Sequence, residues 1–137
     1  MIKKFDKTPK ITVDAVIETD KGEVILVKRK YEPFKDFYAL PGGFVEYGET
    51  VESACLREAF EETGLKVKIK RLLGVYSDPN RDPRGHVISV VFLCRAIGGS
   101  LKDSEETKEV KAFSKKDLKN IKLAFDHSKI LKDAGFC

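Results

Sequence analysis

The sequence predicts an α/β fold in which helices pack on a mixed β-sheet. Segments with the alternating or continuous apolar pattern of strands are interleaved with segments that have the pattern of helices. Hydrophobic residues make up 42% of the 137 positions, which is enough for one core. No repeat, linker or low-complexity tract divides the chain. We therefore expect one domain over residues 1–137.

The first two predicted strands form a pair. ITVDAVIE (residues 11–18) places Ile11, Val13, Ala15 and Ile17 on one face, and the turn DKG leads into EVILVKRK (residues 23–30). An aromatic-rich loop, YEPFKDFYALPGGFVEYGE (residues 31–49), follows and is expected to contain short extended pieces.

The first predicted helix begins after Thr50, which is suited to the N-cap, and ends at Gly64, which is suited to the C′ position. At 100° per residue, the glutamates at positions 58, 61 and 62 fall within one sector. The opposite side is expected to pack on the sheet and carries Leu56, Ala59, Phe60 and Thr63.

Two longer strands are predicted next, VKIKRLLGVYS (residues 67–77) and HVISVVFLCRAI (residues 86–97), joined by the polar loop DPNRDPRG. The second strand is apolar enough to be central in a sheet. A short strand, VKAF (residues 110–113), precedes two segments of helical pattern, residues 114–121 and 126–135. Asp126 is the expected N-cap of the last helix and Gly135 its stop.

Charge and composition argue against a nucleic-acid-binding protein and against a membrane or exported protein. The net charge is +4, and residues 108–137 hold eight lysines against four acids. These lysines are scattered without interleaved aromatic residues, so we expect a solvated surface and no nucleic-acid partner. No apolar run is long enough to span a bilayer, and the charged amino terminus lacks the apolar region of a leader, so a cytoplasmic protein without a membrane partner is expected. The widely spaced Cys55, Cys94 and Cys137 are expected to be free thiols.

The acidic sector of the first helix needs a physical explanation. Like charges three or four residues apart destabilise a helix by roughly 0.2–0.5 kcal/mol per pair. Three converging carboxylates form a hard, oxygen-only site of the kind that binds Mg²⁺ or Mn²⁺, with substrate phosphates completing the coordination. A bound cation would remove the repulsion.

The surrounding residues reproduce the pattern G-x5-E-x7-R-E-U-x-E-E-x-G-U, in which U is a bulky aliphatic residue. The chain therefore resembles the Nudix hydrolases, whose Nudix box has this spacing. Ala59 is smaller than the pattern's aliphatic residue, and the matching positions are Gly43, Glu49, Arg57, Glu58, Glu61, Glu62, Gly64 and Leu65. The resemblance implies an α/β/α sandwich and metal-dependent hydrolysis of a nucleoside diphosphate linked to another group.

The resemblance also implies roles for individual residues. Glu58 and Glu62 would be the principal metal ligands, Glu61 a further or water-bridged ligand, and the Gly42 carbonyl an additional one. Glu49 and Arg57 would form a buried ion pair that holds the loop to the helix, and Gly43 and Gly64 would complete the structural part of the box.

The general base is expected to be a glutamate either of the helix or of a later loop. Some relatives use a glutamate equivalent to Glu58, whereas the ADP-ribose enzymes use one from a later loop. In that place the sequence offers Glu105, Glu106 and Glu109, of which we favour Glu106. A solvated acidic loop is the alternative interpretation.

Three features resemble the ADP-ribose pyrophosphatase branch of the family. Pro79 stands fifteen residues beyond Gly64, and two segments are similar to those of its members, YSDPNRDPRGHVIS and LAFDHSKIL. The expected reaction is ADP-ribose to AMP and ribose 5-phosphate, catalysed by a homodimer. The alternatives are hydrolysis of oxidised nucleoside triphosphates or dinucleoside polyphosphates, and a non-catalytic ADP-ribose sensor.

Four residues are predicted to bind the nucleotide substrate. Arg29, Arg81 and Arg84 carry planar guanidinium groups suited to phosphate and ribose oxygens. Exposed charges or ion pairs with Asp78 or Asp82 are the alternative for the arginines. Phe34 is the favoured aromatic for stacking on the base, with packing as its alternative; Tyr31 and Phe37 share both interpretations. The histidines, His86 and His127, are expected to be structural.

Overall fold

The structure is a computed structural model that describes residues 3–136. The strands are β1 (Lys10–Glu18), β2 (Val24–Arg29), β3 (Tyr38–Ala39), β4 (Gly42–Phe44), β5 (Leu65–Tyr76), β6 (Val87–Gly99) and β7 (Thr107–Phe113). The helices are α1 (Val51–Thr63) and α2 (His127–Asp133), and a 3₁₀ turn covers Asp117–Asn120. The element types and their order follow the sequence prediction, although only the 3₁₀ turn forms within the predicted helical segment 114–121.

Strands β1 to β7 form one mixed sheet. The main order is β3-β2-β1-β6-β5, with β4 paired to β1 and β7 paired to β2. Strand β6 lies between β1, to which it is parallel, and β5, to which it is antiparallel. The central position predicted for this apolar strand is confirmed.

The predicted pairing of the first two strands is confirmed, but it covers only the residues next to the turn. β1 and β2 meet only where Glu18 opposes Val24, beside the connecting turn. Beyond that point β1 pairs with β6 along one edge and with β4 along the other, while β2 diverges to pair with β7. The turn was visible in the local sequence, but the partners that separate the two strands lie far along the chain.

Both faces of the sheet are covered, which gives the α/β/α sandwich. Val13, Ala15 and Ile17 of β1 pack in the core beneath α1. Val16 faces the opposite way, into the core that contains Ile130 of α2. Because each face has a helical layer, β1 is apolar on both sides.

Helix α1 has the predicted ends but is rotated from the predicted orientation. The Thr50 side chain accepts a hydrogen bond from the Ser53 amide, and Gly64 adopts a left-handed conformation with φ of 78°. The buried side contains Ala54, Cys55 and Ala59, whereas Leu56 and Phe60 are 43% and 53% exposed. Ala59 and Thr63 are buried as predicted. The small residues allow the helix to lie close to the sheet, and Glu58 and Glu62 face inward, toward the predicted metal site.

The C-terminal region shows a second difference. Asp126 precedes α2 as predicted, but its side chain makes no capping hydrogen bond. Both carboxylate oxygens instead accept hydrogen bonds from Arg81, at 2.9 Å from Nε and 2.7 Å from Nη2. Gly135 follows the helix with φ of 89°, as a terminating glycine should.

The cysteines at positions 55 and 94 are free and buried, with sulfur atoms 3.8 Å apart between α1 and β6. Cys137 lies outside the described residues. Within residues 3–136, no helix is long and apolar enough to cross a membrane.

Candidate active site

A cavity of about 570 Å³ lies over β1, β4 and α1, and its walls come from the end of β2, the loop of residues 78–86 and the segment before α2. The predicted site residues that line it are Arg29, Gly42, Gly43, Arg57, Glu58, Glu61, Glu62, Arg81, Arg84 and Glu106. One cavity therefore brings together the acidic helix and the predicted substrate arginines.

The two inward-facing glutamates occupy the deepest part of this acidic wall. Glu62 is buried, and its Oε1 accepts a hydrogen bond from the Gly42 amide at 3.0 Å. Burial raises the pKa of Glu62 to about 8 and that of Glu58 to about 7. A pair of buried carboxyls with raised pKa is costly to keep unless something compensates its charge.

Gly43 allows Glu58 to approach the β4 backbone. A Cβ atom added at this glycine would overlap the carboxylate of Glu58, so that carboxylate would have to move. The glycine of the motif therefore lets Glu58 keep its position against the strand.

Arg57 organises the outer part of the acidic wall. It donates two hydrogen bonds to Glu49, at 2.7 Å from Nε and 2.8 Å from Nη2, and a third to the Phe44 carbonyl at 3.1 Å. The ion pair predicted between Arg57 and Glu49 is present, although both side chains keep some solvent exposure. Arg57 Nη1 also lies 3.3 Å from Glu61 and 3.5 Å from Glu58. Arg57 therefore relieves part of the repulsion that was predicted among the glutamates of the helix.

The carboxylates of the cavity fit a divalent cation that is bound together with water and substrate. No group of three or more His, Cys, Asp or Glu side chains in residues 3–136 converges into a ready cage. Mg²⁺ is commonly held by one or two carboxylates together with water and substrate phosphates, so a cage is not required. Glu58 and Glu62 fit that mode because both are inward-facing oxygen donors whose burial disfavours an uncompensated charge. Glu61 is directed to Arg57 and is half-exposed, which suits an outer, water-bridged position.

The three glutamates proposed for the general base are separated by the structure. Glu106 lies at the cavity wall, in the turn before β7, and its charge contributes to raising the pKa of both Glu58 and Glu62. Glu109 accepts a hydrogen bond from the Tyr38 hydroxyl at 2.9 Å. Neither Glu105 nor Glu109 lines the cavity.

The three predicted substrate arginines differ in their present partners. Arg81 is almost completely buried and is bound to Asp126 by the two hydrogen bonds described above. Arg84 makes two hydrogen bonds with Asp82, as the ion-pair interpretation anticipated. Arg29 donates from Nε to the Pro33 carbonyl at 2.7 Å, and burial and the nearby Arg84 lower its pKa.

The aromatic residues at the cavity include Tyr31, which was among the predicted stacking residues, and Phe125, to which the sequence assigned no role. Phe34 does not line the cavity but packs edge-on against Phe37 and Phe125. Phe125 does line it, with the guanidinium carbons of Arg29 and Arg84 at 4.9 and 5.6 Å from its ring centre. Phe125 also has a φ of 52°, a left-handed backbone conformation that is uncommon for a non-glycine residue.

Two buried polar side chains that line the cavity were also missed as site residues. Asp14 accepts a hydrogen bond from the Ser89 hydroxyl, and burial raises the pKa of Asp14 to about 7. His127 Nδ1 accepts a hydrogen bond from the Leu40 amide at 3.0 Å, and burial lowers the pKa of His127 to about 3. An acid in the middle of an otherwise apolar strand was the signal that identifies Asp14.

Comparison with known proteins agrees with this geometry. The NUDIX domain profile matches residues 8–134. An ADP-ribose pyrophosphatase from Methanocaldococcus jannaschii is 60% identical over 126 residues, which are 91% of this chain and 72% of that protein. Most of the chain therefore has a close counterpart of similar sequence.

Two solved structures share the fold. The NUDIX domain of Shewanella oneidensis NrtR, crystallised with ADP ribose, has a TM-score of 0.83 at 29% identity and covers 94% of this chain and 88% of that chain. A bifunctional NMN adenylyltransferase/ADP ribose pyrophosphatase from Francisella tularensis, with AMP and a manganese ion, has a TM-score of 0.84 at 32% identity. The match covers 93% of this chain but 41% of the Francisella enzyme.

Proposed function

The chain belongs to the Nudix hydrolase family, and from that membership we propose that it hydrolyses ADP-ribose to AMP and ribose 5-phosphate with Mg²⁺ or Mn²⁺. The observation that carries the proposal is one cavity lined both by the buried carboxyls of Glu58 and Glu62 and by Arg29 and Arg84. The names of the archaeal relative and of the two structural neighbours, all associated with ADP-ribose, support this choice of substrate.

Each group of residues has a separate task in the proposed reaction. Glu58 and Glu62 would hold the cation, with the Gly42 carbonyl as a further donor and Glu61 acting through water. When bound, the cation supplies charge neutralisation for the diphosphate and a more acidic water molecule. Arg29 and Arg84 would bind phosphate or ribose oxygens from the opposite wall, and Phe125 offers a ring face between them for packing.

A carboxylate must accept the proton of the attacking water. We propose Glu106 for this role because it faces the cavity from a turn outside the box helix. Glu58 is the alternative, since the family resemblance implies that some relatives use the glutamate at this position of the box. Glu106→Gln should lower turnover by at least about 10²-fold, whereas its neighbour Glu105→Gln should leave it near wild type. Equal effects of the two substitutions would transfer the role to Glu58.

The substrate assignment is tested with a product assay over a panel of nucleotides. The panel contains ADP-ribose, NAD, sugar nucleotides, dinucleoside polyphosphates and nucleoside triphosphates, with Mg²⁺ or Mn²⁺ present. We expect AMP and ribose 5-phosphate from ADP-ribose as the preferred reaction. A tenfold preference for any nucleoside triphosphate would overturn the substrate while leaving the family chemistry in place.

A sensor that binds ADP-ribose without turnover is the second candidate, because the structurally similar NUDIX domain of NrtR was crystallised in complex with ADP ribose. The inward-facing Glu58 and Glu62 favour turnover instead. ADP-ribose binding in the panel without formation of AMP would support the sensor.

The proposed assembly is a homodimer, on the basis of the resemblance to ADP-ribose enzymes. Light scattering that gives a fully active 15.4 kDa particle at micromolar concentration would overturn it. The cytoplasmic location stays a prediction from the sequence.

A further inference from the structure

The segment Phe125–His127 contacts both sides of the cavity. It begins after residues that run beside β3: the Tyr38 amide donates to the Lys122 carbonyl, and the Ala124 amide donates to the Tyr38 carbonyl, both at 2.8 Å. Since β3 leads directly into residues 40–43, this segment lies next to the turn that carries Gly42.

The first two residues of the segment serve the arginine side. Phe125 lies beneath the guanidinium groups of Arg29 and Arg84. Asp126 holds Arg81 through two hydrogen bonds of 2.7 and 2.9 Å. Both contacts fix the wall that would receive the substrate.

The third residue serves the acidic side. His127 Nδ1 accepts a hydrogen bond from the Leu40 amide, and two residues later the Gly42 amide donates to Glu62 Oε1. Because Nδ1 accepts, the proton of the neutral ring is on Nε2, which faces Asp14 Oδ1 at 3.9 Å. The turn of residues 40–43 is therefore held at one end by a histidine and at the other by a proposed metal ligand.

We propose that His127 is a positioning residue for the metal site, which acts by holding the Leu40–Gly42 turn so that the Gly42 amide orients Glu62. The proposal rests on the proposed function for the identity of the metal site. Groups outside the ligand shell that fix a ligand's orientation commonly contribute 10–100-fold to metal affinity. His127 lies on the cavity wall but is assigned no contact with the reacting atoms.

A purely structural histidine is the competing interpretation, and the geometry of the acceptor distinguishes the two. In His127→Asn the amide oxygen can occupy the place of Nδ1, because both atoms are two bonds from Cβ. In His127→Gln the acceptor is one bond further out, and in His127→Leu it is absent, so the buried Leu40 amide loses its partner. A structural role in packing would make Leu the best replacement in a buried site.

The first measurement is Mn²⁺ affinity by electron paramagnetic resonance on the nucleotide-free variants, with melting temperatures to confirm folding. We expect the Asn variant to stay close to wild type and the Gln and Leu variants to bind Mn²⁺ about 10–100-fold more weakly. If the Leu variant does not fold, the Asn and Gln variants carry the comparison. Equal Mn²⁺ affinity in Asn and Gln variants overturns the proposal.

Amide hydrogen exchange provides a readout without metal. The Leu40 and Gly42 amides should exchange faster in His127→Gln than in His127→Asn, and equal rates would count against the positioning role. Asp126→Asn is the matched control from the same segment: it should raise KM by loosening Arg81 while leaving Mn²⁺ affinity unchanged. Because Mn²⁺ binding is measured without substrate, a failed ADP-ribose assay would refute the proposed function and leave this result interpretable.

Discussion

Helix α1 and the loop before it carry two carboxylate regions whose chemistry differs. In the outer region, Glu49 is paired with Arg57, and hydrogen bonding to that guanidinium lowers the pKa of Glu49 to about 2. In the inner region, burial raises the pKa of Glu58 and Glu62 to about 7 and 8. The outer region stabilises the fold, whereas the inner region costs stability, and the proposed cation would offset that cost.

The comparison is tested most strongly by removing an inner charge. Glu62→Gln keeps the size of the side chain but removes the charge that would fix the metal. Turnover should fall by at least about 10²-fold, the lower end of what a positioned charged group contributes. The metal-free variant should melt at the wild-type temperature or slightly higher. Wild-type turnover in this variant would show that the inner carboxyls are not catalytic.

Metal binding should offset the loss of folding stability caused by the buried carboxyls of Glu58 and Glu62. A ligand at one hundred times its dissociation constant stabilises the folded state by about 2.7 kcal/mol. Excess Mg²⁺ should therefore raise the melting temperature of wild type clearly and that of Glu62→Gln less. Melting curves with and without Mg²⁺ provide the measurement, and an equal gain in both proteins would contradict the assignment.

The pH dependence of the metal-free protein should separate the two regions. The folded chain holds protons on Glu58 and Glu62 where the unfolded chain, with a carboxyl pKa of 4.5, has lost them. Stability should therefore fall as pH rises from about 4.5 toward 8. Glu49 has the opposite sign: its contribution is present above pH 4.5 and is lost as pH falls toward 2. In thermal melts, the melting temperature of Glu62→Gln should fall less than that of wild type as pH rises from about 4.5 to 8. An equal fall in both proteins would exclude Glu62 as the source of this pH dependence.

Breaking the outer pair should have a smaller effect on catalysis and a clear effect on folding. Glu49→Gln removes the charge that holds Arg57 and should lower the melting temperature with or without Mg²⁺. Turnover below the melting temperature should stay within about tenfold of wild type, the lower limit for a group outside the ligand shell. Glu61→Gln, at a half-exposed position, should change the melting temperature least. A stable Glu49 variant with abolished turnover would show that the outer region is catalytic too.

Local sequence predicted much of this molecule. Spacing identified the box, and Thr50 and Gly64 identified the ends of its helix, because capping depends on residues adjacent in sequence. The separation of β1 from β2 was not predictable, since it depends on pairing with β6 and β7. The orientation of α1 was misjudged because bulky apolar residues were expected inside, while small ones were needed for close packing.

Distant pairings also explain the incomplete prediction of the site. Arg81 and Asp126 are 45 residues apart, so no local pattern shows that they form an ion pair. Phe125 lies within the segment LAFDHSKIL, but its place at the site depends on the distant arginines packed on it. Asp14 could have been identified from the local sequence, because an acidic residue in the middle of an apolar strand indicates a buried carboxyl at a candidate functional site.

The buried thiol of Cys55 allows the opening of helix α1 to be measured as a rate of alkylation. Cys55 on α1 faces Cys94 on β6 at 3.8 Å, and hydrogen bonding to Cys94 together with burial raises the pKa of Cys55. Thiolate is the reactive form, so an alkylating reagent can label Cys55 only when the helix lifts from the sheet. Labelling followed by peptide mass spectrometry, which separates Cys55 from Cys137, would time that opening. A metal ion that clamps the inner carboxyls should then be visible as a slower rate of alkylation.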